Sequence, residues 1–193
     1  MELTRIALAL FSAGIFGALV PACAPARAPG AVAPIELVGT DGKSHPLVDP
    51  NAKVTVVEFF SAHCPCQAKH DERLRALAET YGARGVAFAI VDSEFDAAVD
   101  RDRIEAELRK YAFPILIDPD GAVAKKMGAD YATYTLVVDH SGNVLFSGGI
   151  DSDKTHLTEG ATPYLRDALD DALAGRPVRL ASAKTLGCAL TLR

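Results

Sequence analysis

Val54-Thr55-Val56-Val57-Glu58-Phe59-Phe60 is a run of β-branched and aromatic residues interrupted by one acid, and it predicts a strand buried on both faces. From Gln67 to Tyr81 the period changes. Ala68, Leu74, Leu77, Ala78 and Tyr81 recur at helical spacing, with Gly82 as a stop. Gly85 to Val91 is a second apolar run, ending in Asp92-Ser93, and Asp100 to Tyr111 predicts a charged helix with Ile104 and Leu108 on its buried stripe. Pro114 to Ile117 reads as a short strand closed by the turn Asp118-Pro119-Asp120-Gly121. Ala122 to Met127 follows as a short helix stopped by Gly128. Thr135 to Asp139 and Val144 to Ser147 flank His140-Ser141-Gly142-Asn143 as a hairpin, and Ile35 to Val38 and Ser44 to Val48 form another around Gly39 to Gly42. Thr162-Pro163 opens the last helix with a cap and a first-turn proline, and Gly175 ends it. Strands alternating with helices, plus a terminal hairpin, predict one α/β domain: a central mixed sheet flanked by helices, with an N-terminal β-hairpin.

The first residues follow other rules. Ile6 to Val20 is apolar but too short for a membrane span, Arg5 supplies a positive start, and small residues follow, so residues 1–22 read as an export signal. Leu19-Val20-Pro21-Ala22-Cys23 resembles a bacterial lipoprotein box in which Cys23 takes the lipid; cleavage after Ala24 or Ala28 is the alternative. Residues 23–34, rich in Ala and Pro, would then tether residues 35–180 to a membrane, with 181–193 as a C-terminal tail. Export to the periplasmic side implies an oxidising compartment in which disulfides persist. The net charge of −5 and the lack of a basic run argue against nucleic acid as a partner.

Chemistry concentrates where the first buried strand meets its helix, at Ser61-Ala62-His63-Cys64-Pro65-Cys66. Pro65 suits the first helical turn, where a missing N–H costs nothing. Cys64 then falls at the helix cap, facing unpaired N–H groups and the positive end of the dipole, a position that favours the nucleophilic thiolate. His63 beside it is a candidate tuner of that thiol. A third thiol, Cys188, lies in the apolar tail Thr185 to Leu190, where Gly187 allows a sharp turn toward the site.

This arrangement resembles the thioredoxin-like superfamily, and within it the redoxin branch of peroxiredoxin relatives and membrane-tethered thiol–disulfide reductases. The resemblance covers residues 35–180 and is most specific over Glu58 to Cys66, Phe113 to Gly121 and Thr135 to Phe146. It implies a thioredoxin-like fold, Cys64 as the attacking cysteine, and Glu58 as the buried carboxylic acid that passes a proton to or from the second sulfur. Three departures are plain. The cysteines are one residue apart, so Gln67 stands where the family's second cysteine would be; Thr133 replaces the family's cis-proline; and of the peroxidase residues only Ser61 is kept, Val57 and Thr133 standing where a proline and an arginine belong. Loss of that proline removes a backbone surface that usually receives the substrate peptide.

These features lead to an exported thiol–disulfide oxidoreductase needing no organic cofactor, with Cys64 as nucleophile, Cys66 or Cys188 as resolving thiol, and a protein thiol or disulfide near the membrane as partner. Two alternatives use the same residues. One is a copper chaperone with Cys64, Cys66 and His70 as ligands, since soft sulfur plus imidazole suits Cu(I). The other is a weak thiol peroxidase.

Overall fold

The computed structural model describes residues 31–193. The export signal and Cys23 lie outside the described residues. Seven strands form one sheet: β1 (Glu36–Gly39), β2 (Ser44–Pro46), β3 (Val54–Phe60), β4 (Val86–Asp92), β5 (Ile115–Ile117), β6 (Thr135–Asp139) and β7 (Val144–Gly148). Four helices accompany them: α1 (Pro65–Gly82), α2 (Val99–Leu108), α3 (Ala122–Met127) and α4 (Tyr164–Leu173). The strand order is β2-β1-β5-β4-β3-β6-β7, with β3, β4 and β5 parallel and the other pairings antiparallel. No helix of the described residues is long and apolar enough to cross a membrane.

Strand β3 is central and wholly buried, which explains why its sequence does not alternate. Its two faces still serve different layers. Val54, Val56 and Phe60 pack with Leu74, Leu77 and Tyr81 of α1 and with Leu165 and Leu169 of α4. Val57 and Phe59 face the opposite layer, with Val123, Ala124 and Met127 of α3. The period of two therefore places Glu58 on the α1 side.

Several boundaries differ from the sequence pattern for physical reasons. Helix α2 ends at Leu108, and its Ile104 and Leu108 are exposed, 59% and 71%, not buried. The inward position belongs to Asp102, fully buried, which accepts the Ala98 backbone N–H and pairs with Arg101. Here a charge network, not an apolar stripe, docks the helix. In α1, Ala68 is exposed, and the inward stripe opens with the polar residues Cys66, Gln67, His70 and Asp71. Pro163 occupies the cap of α4 rather than its first turn, and no side chain caps that helix.

Residues 181–193 are docked, not trailing. Ala183 N–H donates to Ser147 O on β7, and Ser147 N–H donates to Ala181 O. Further on, Ala189 forms an antiparallel bridge with Tyr131, and Leu190 and Leu192 pack into the α3-side layer.

A three-thiol site beneath the C-terminal tail

Cys64 is the N-cap of α1, with extended backbone angles, and Pro65 stands in the first turn. The cap is supplied by sulfur: the Gln67 N–H points at Cys64 Sγ from 3.5 Å. A second N–H, from Cys188, reaches the same sulfur at 3.3 Å. Two donors aimed at one sulfur make a place suited to negative charge. Ser61 Oγ accepts the His63 N–H and Ser61 O accepts the Cys64 N–H, which sets the approach to the cap.

The Cys64 and Cys188 sulfurs are 2.7 Å apart. A disulfide bond is about 2.0 Å, so bond formation needs a shift of less than about 1 Å. Cys66 Sγ completes the triangle, all three sulfurs lying within 4.8 Å of one another. Ala132 and Leu190 close the group with apolar contacts. Burial first, and then the neighbouring Cys64 charge, pushes the Cys66 thiol up. For Cys188 burial and the proton shared with Cys64 push the thiol up to about 12. Cys64 and Cys66 are each only 2% exposed, and Cys188 is half-buried.

The tail reaches this position because Gly187 has no side chain. A Cβ there would lie 1.6 Å from Ala132 O. Beside it, Ala132 N–H donates to Cys188 O and Leu190 N–H donates to Asp130 O, both at 2.9 Å. Thr133 stands where the resemblance places a cis-proline; it is buried, holds a positive φ of 65°, and donates its N–H to Phe59 O. The described residues contain no cis peptide bond. The backbone just before Thr133 is occupied by the protein's own tail, through the bond from Ala132 N–H to Cys188 O.

Glu58 is fully buried under the first turn of α1, and neither carboxylate oxygen has a hydrogen-bond partner. Burial, and next the charge of Asp71, hold its proton well above the usual value of 4.5. Gln67 lies beside it with a buried Oε1 that lacks a donor. A chain of polar groups continues outward. Gln67 Nε2 donates to Asp71 Oδ1, Tyr111 Oη–H donates to the same oxygen at 2.6 Å, and Arg109 Nη1 donates to Asp71 Oδ2 at 2.6 Å. Arg109 also lies over the Phe60 ring. Asp71 and Arg109 open onto a surface cleft of about 750 Å³ with Arg75 and Glu105.

Asp71, Tyr111 and Arg109 were not legible as site residues. One signal was available: Gln67, His70, Asp71 and Leu74 follow the i, i+3, i+4, i+7 pattern of a buried face, yet three of them are polar. A polar residue on such a stripe needs a buried partner.

The histidines fall elsewhere than the sequence suggested. Both His70 ring nitrogens are engaged, Nδ1 with Cys66 O at 2.8 Å and Nε2 with Asp151 at 3.2 Å. Burial disfavours its imidazolium, but the bonds to Asp151 and to Cys66 O and the charge of Asp151 together outweigh this, and the pKa is raised. His70 is thus a structural clamp between α1 and the segment after β7, not a companion ligand of Cys64 and Cys66. His63 is exposed and its ring is turned to Asp96 at 3.1 Å. It does not join the sulfur cluster.

Because the folded pKa of Glu58 is raised, its neutral form favours the fold. That contribution is complete below the unfolded value near 4.5 and is lost as pH rises through the folded value. Glu58→Gln is therefore expected to gain stability over wild type between about pH 5 and about pH 8. Urea unfolding at both pH values measures this, and an unchanged difference would show that Glu58 is not a perturbed acid.

The sequence matches the Redoxin family model over residues 17–161. No curated protein matches it. Among solved structures it is similar to an uncharacterized conserved protein from Geobacillus kaustophilus, with a TM-score of 0.78 and 27% identity over 86% of this chain and 93% of that one. It is also similar to a hypothetical protein from Sinorhizobium meliloti 1021, with a TM-score of 0.79 and 23% identity over 88% of this chain and 97% of that one. The thioredoxin domain of a thiol-disulfide oxidoreductase from Bacteroides vulgatus shares the fold at a TM-score of 0.56, 17% identity, over 64% of this chain and 89% of that domain. With the family model spanning most of its length and solved structures of similar fold, the chain belongs to the Redoxin family and has a thioredoxin-like fold.

Proposed function

We propose that the protein is a thiol–disulfide oxidoreductase that cycles between a dithiol and a Cys64–Cys188 disulfide. The contact of 2.7 Å between those sulfurs carries the reading. Cys64 is the thiolate that makes and breaks the internal bond, sheltered by two N–H groups. Glu58, buried beside Gln67 under the first turn of α1, exchanges the proton that accompanies each opening and closing. Cys66 is the third thiol of the site and the second candidate for resolution.

Mild oxidation of the purified protein, followed by peptide mapping, is expected to give Cys64 linked to Cys188. Cys64 left free, or linked only to Cys66, would overturn this assignment. The sequence supports an exported, lipid-anchored protein acting on protein thiols or disulfides near a membrane, with Cys23 as the anchor.

A second reading, delivery of Cu(I), draws support from the same triangle of sulfurs. Its ligands would be Cys64, Cys66 and Cys188, without His70. Sulfur-only, three-coordinate copper in X-ray absorption spectra of the Cu(I)-loaded protein would support it, and failure to retain Cu(I) against a competing chelator would remove it.

A further inference from the structure

We propose that redox partners exchange with this protein at Cys188, the half-buried residue of the pair, while Cys64 stays enclosed and never bonds to the partner. The proposal rests on the thiol–disulfide reading above and assigns the point of entry.

Three observations carry it. First, Cys64 is enclosed by Cys66, Ala132, Cys188 and Leu190, so an incoming sulfur has no open path to it. Second, the cover is fixed on both sides of Cys188 and is not a swinging arm. Upstream it is held on Ser147; downstream it is held through Leu190 N–H to Asp130 O, Thr191 N–H to Glu94 Oε2, and Phe95 N–H to Thr191 O. Third, Cys188 stands between Gly187, which has no side chain, and the small, exposed Ala189. Cys188 is the least buried residue of the three thiols.

The step balances as follows. A thiolate of a partner dithiol attacks Cys188 Sγ of the Cys64–Cys188 disulfide. The partner–Cys188 bond forms, the Cys64–Cys188 bond breaks, and the electron pair leaves on Cys64 Sγ, where the Gln67 and Cys188 N–H groups receive it. The partner's second thiolate then displaces Cys188, closing the partner's own disulfide, and Cys188 takes up a proton. Two electrons have passed from the partner dithiol to Cys64 and Cys188. The partner is a protein dithiol with one cysteine on a protruding segment, able to reach a sulfur flanked by Gly187 and Ala189.

The test uses the full chain carrying Cys66→Ser, so that only two sulfurs of the site can exchange. The protein is oxidised, its Cys64–Cys188 bond is confirmed by mapping, and it is then mixed briefly with glutathione, acid-quenched, alkylated and mapped again. Glutathione is expected on Cys188, with Cys64 alkylated, in roughly tenfold excess over the reverse. Glutathione on Cys64 would overturn the proposal and leave the oxidoreductase reading standing. If no Cys64–Cys188 bond forms at all, both fall. A second variant reads the same point where the adduct is short-lived. Ala189→Glu places a carboxylate beside Cys188, and it is expected to slow reduction by anionic glutathione roughly threefold relative to cationic cysteamine. An equal effect on both thiols would count against entry at Cys188.

Discussion

Replacing Cys64 with serine is expected to slow disulfide exchange with a model peptide by on the order of 10³-fold or more, because the Cys64–Cys188 disulfide and its N–H-sheltered thiolate are then gone. The variant is unusually clean. Serine is among the favoured N-cap residues, so its hydroxyl can take over the Gln67 N–H that the sulfur now accepts. Helix α1 should keep its start, and urea unfolding should shift by no more than about 1 kcal/mol. Loss of exchange without loss of fold is the expected pair of results. An exchange rate within a fewfold of wild type would mean that the chemistry lies elsewhere.

Gly187→Ala is expected to have the next largest effect, and by a different route. The added Cβ would meet Ala132 O at 1.6 Å, and that oxygen belongs to the backbone, so it cannot rotate aside. The tail must lift, taking with it the Ala132–Cys188 hydrogen bond and the contact between sulfurs. Stability should fall by about 1–3 kcal/mol, the usual cost of overfilling a packed position. The yield of the Cys64–Cys188 cross-link after mild oxidation should fall by roughly tenfold, which about 1.4 kcal/mol of undocking suffices to cause. Gly128→Ala is the control. That glycine has a positive φ, 68°, which Gly187 does not, but open space around it, so its substitution should cost about 1 kcal/mol and leave the cross-link intact. Equal cross-link yields in the two variants would show that the close approach at Gly187 does not position Cys188.

The frame of the molecule was legible because it depends on local patterns. The unbroken apolar run of β3, the helical spacing after it and the Cys64-Pro65 junction each specify their element from nearby residues alone. What failed to show was long-range polar pairing. Ile104 and Leu108 suggest a buried stripe, yet Asp102 turns inward because Arg101 is there to receive it, and no window of sequence contains that outcome. His70, a candidate ligand only in the copper alternative, is instead held by Asp151, which lies beyond β7 and in no window of sequence around it. Glu58 was legible as a suspect acid, but its neighbours Asp71 and Tyr111 were not, since they come from α1 and from the loop before β5. Gly187 suggested a bend toward the site, and only the fold supplies Ala132 as the surface the tail bends onto.

The segment that carries Cys188 also lies along β7, the edge strand of the sheet, where Ser147 exchanges backbone hydrogen bonds with Ala181 and Ala183. An uncovered edge strand is a template for pairing with another chain. Any event that strips the tail away, whether a proteolytic nick after β7 or a substitution that lifts it, would thus uncover a row of unsatisfied donors and acceptors together with the thiols. Damage to the redox site and the tendency to aggregate are bound to the same thirteen residues, 181–193.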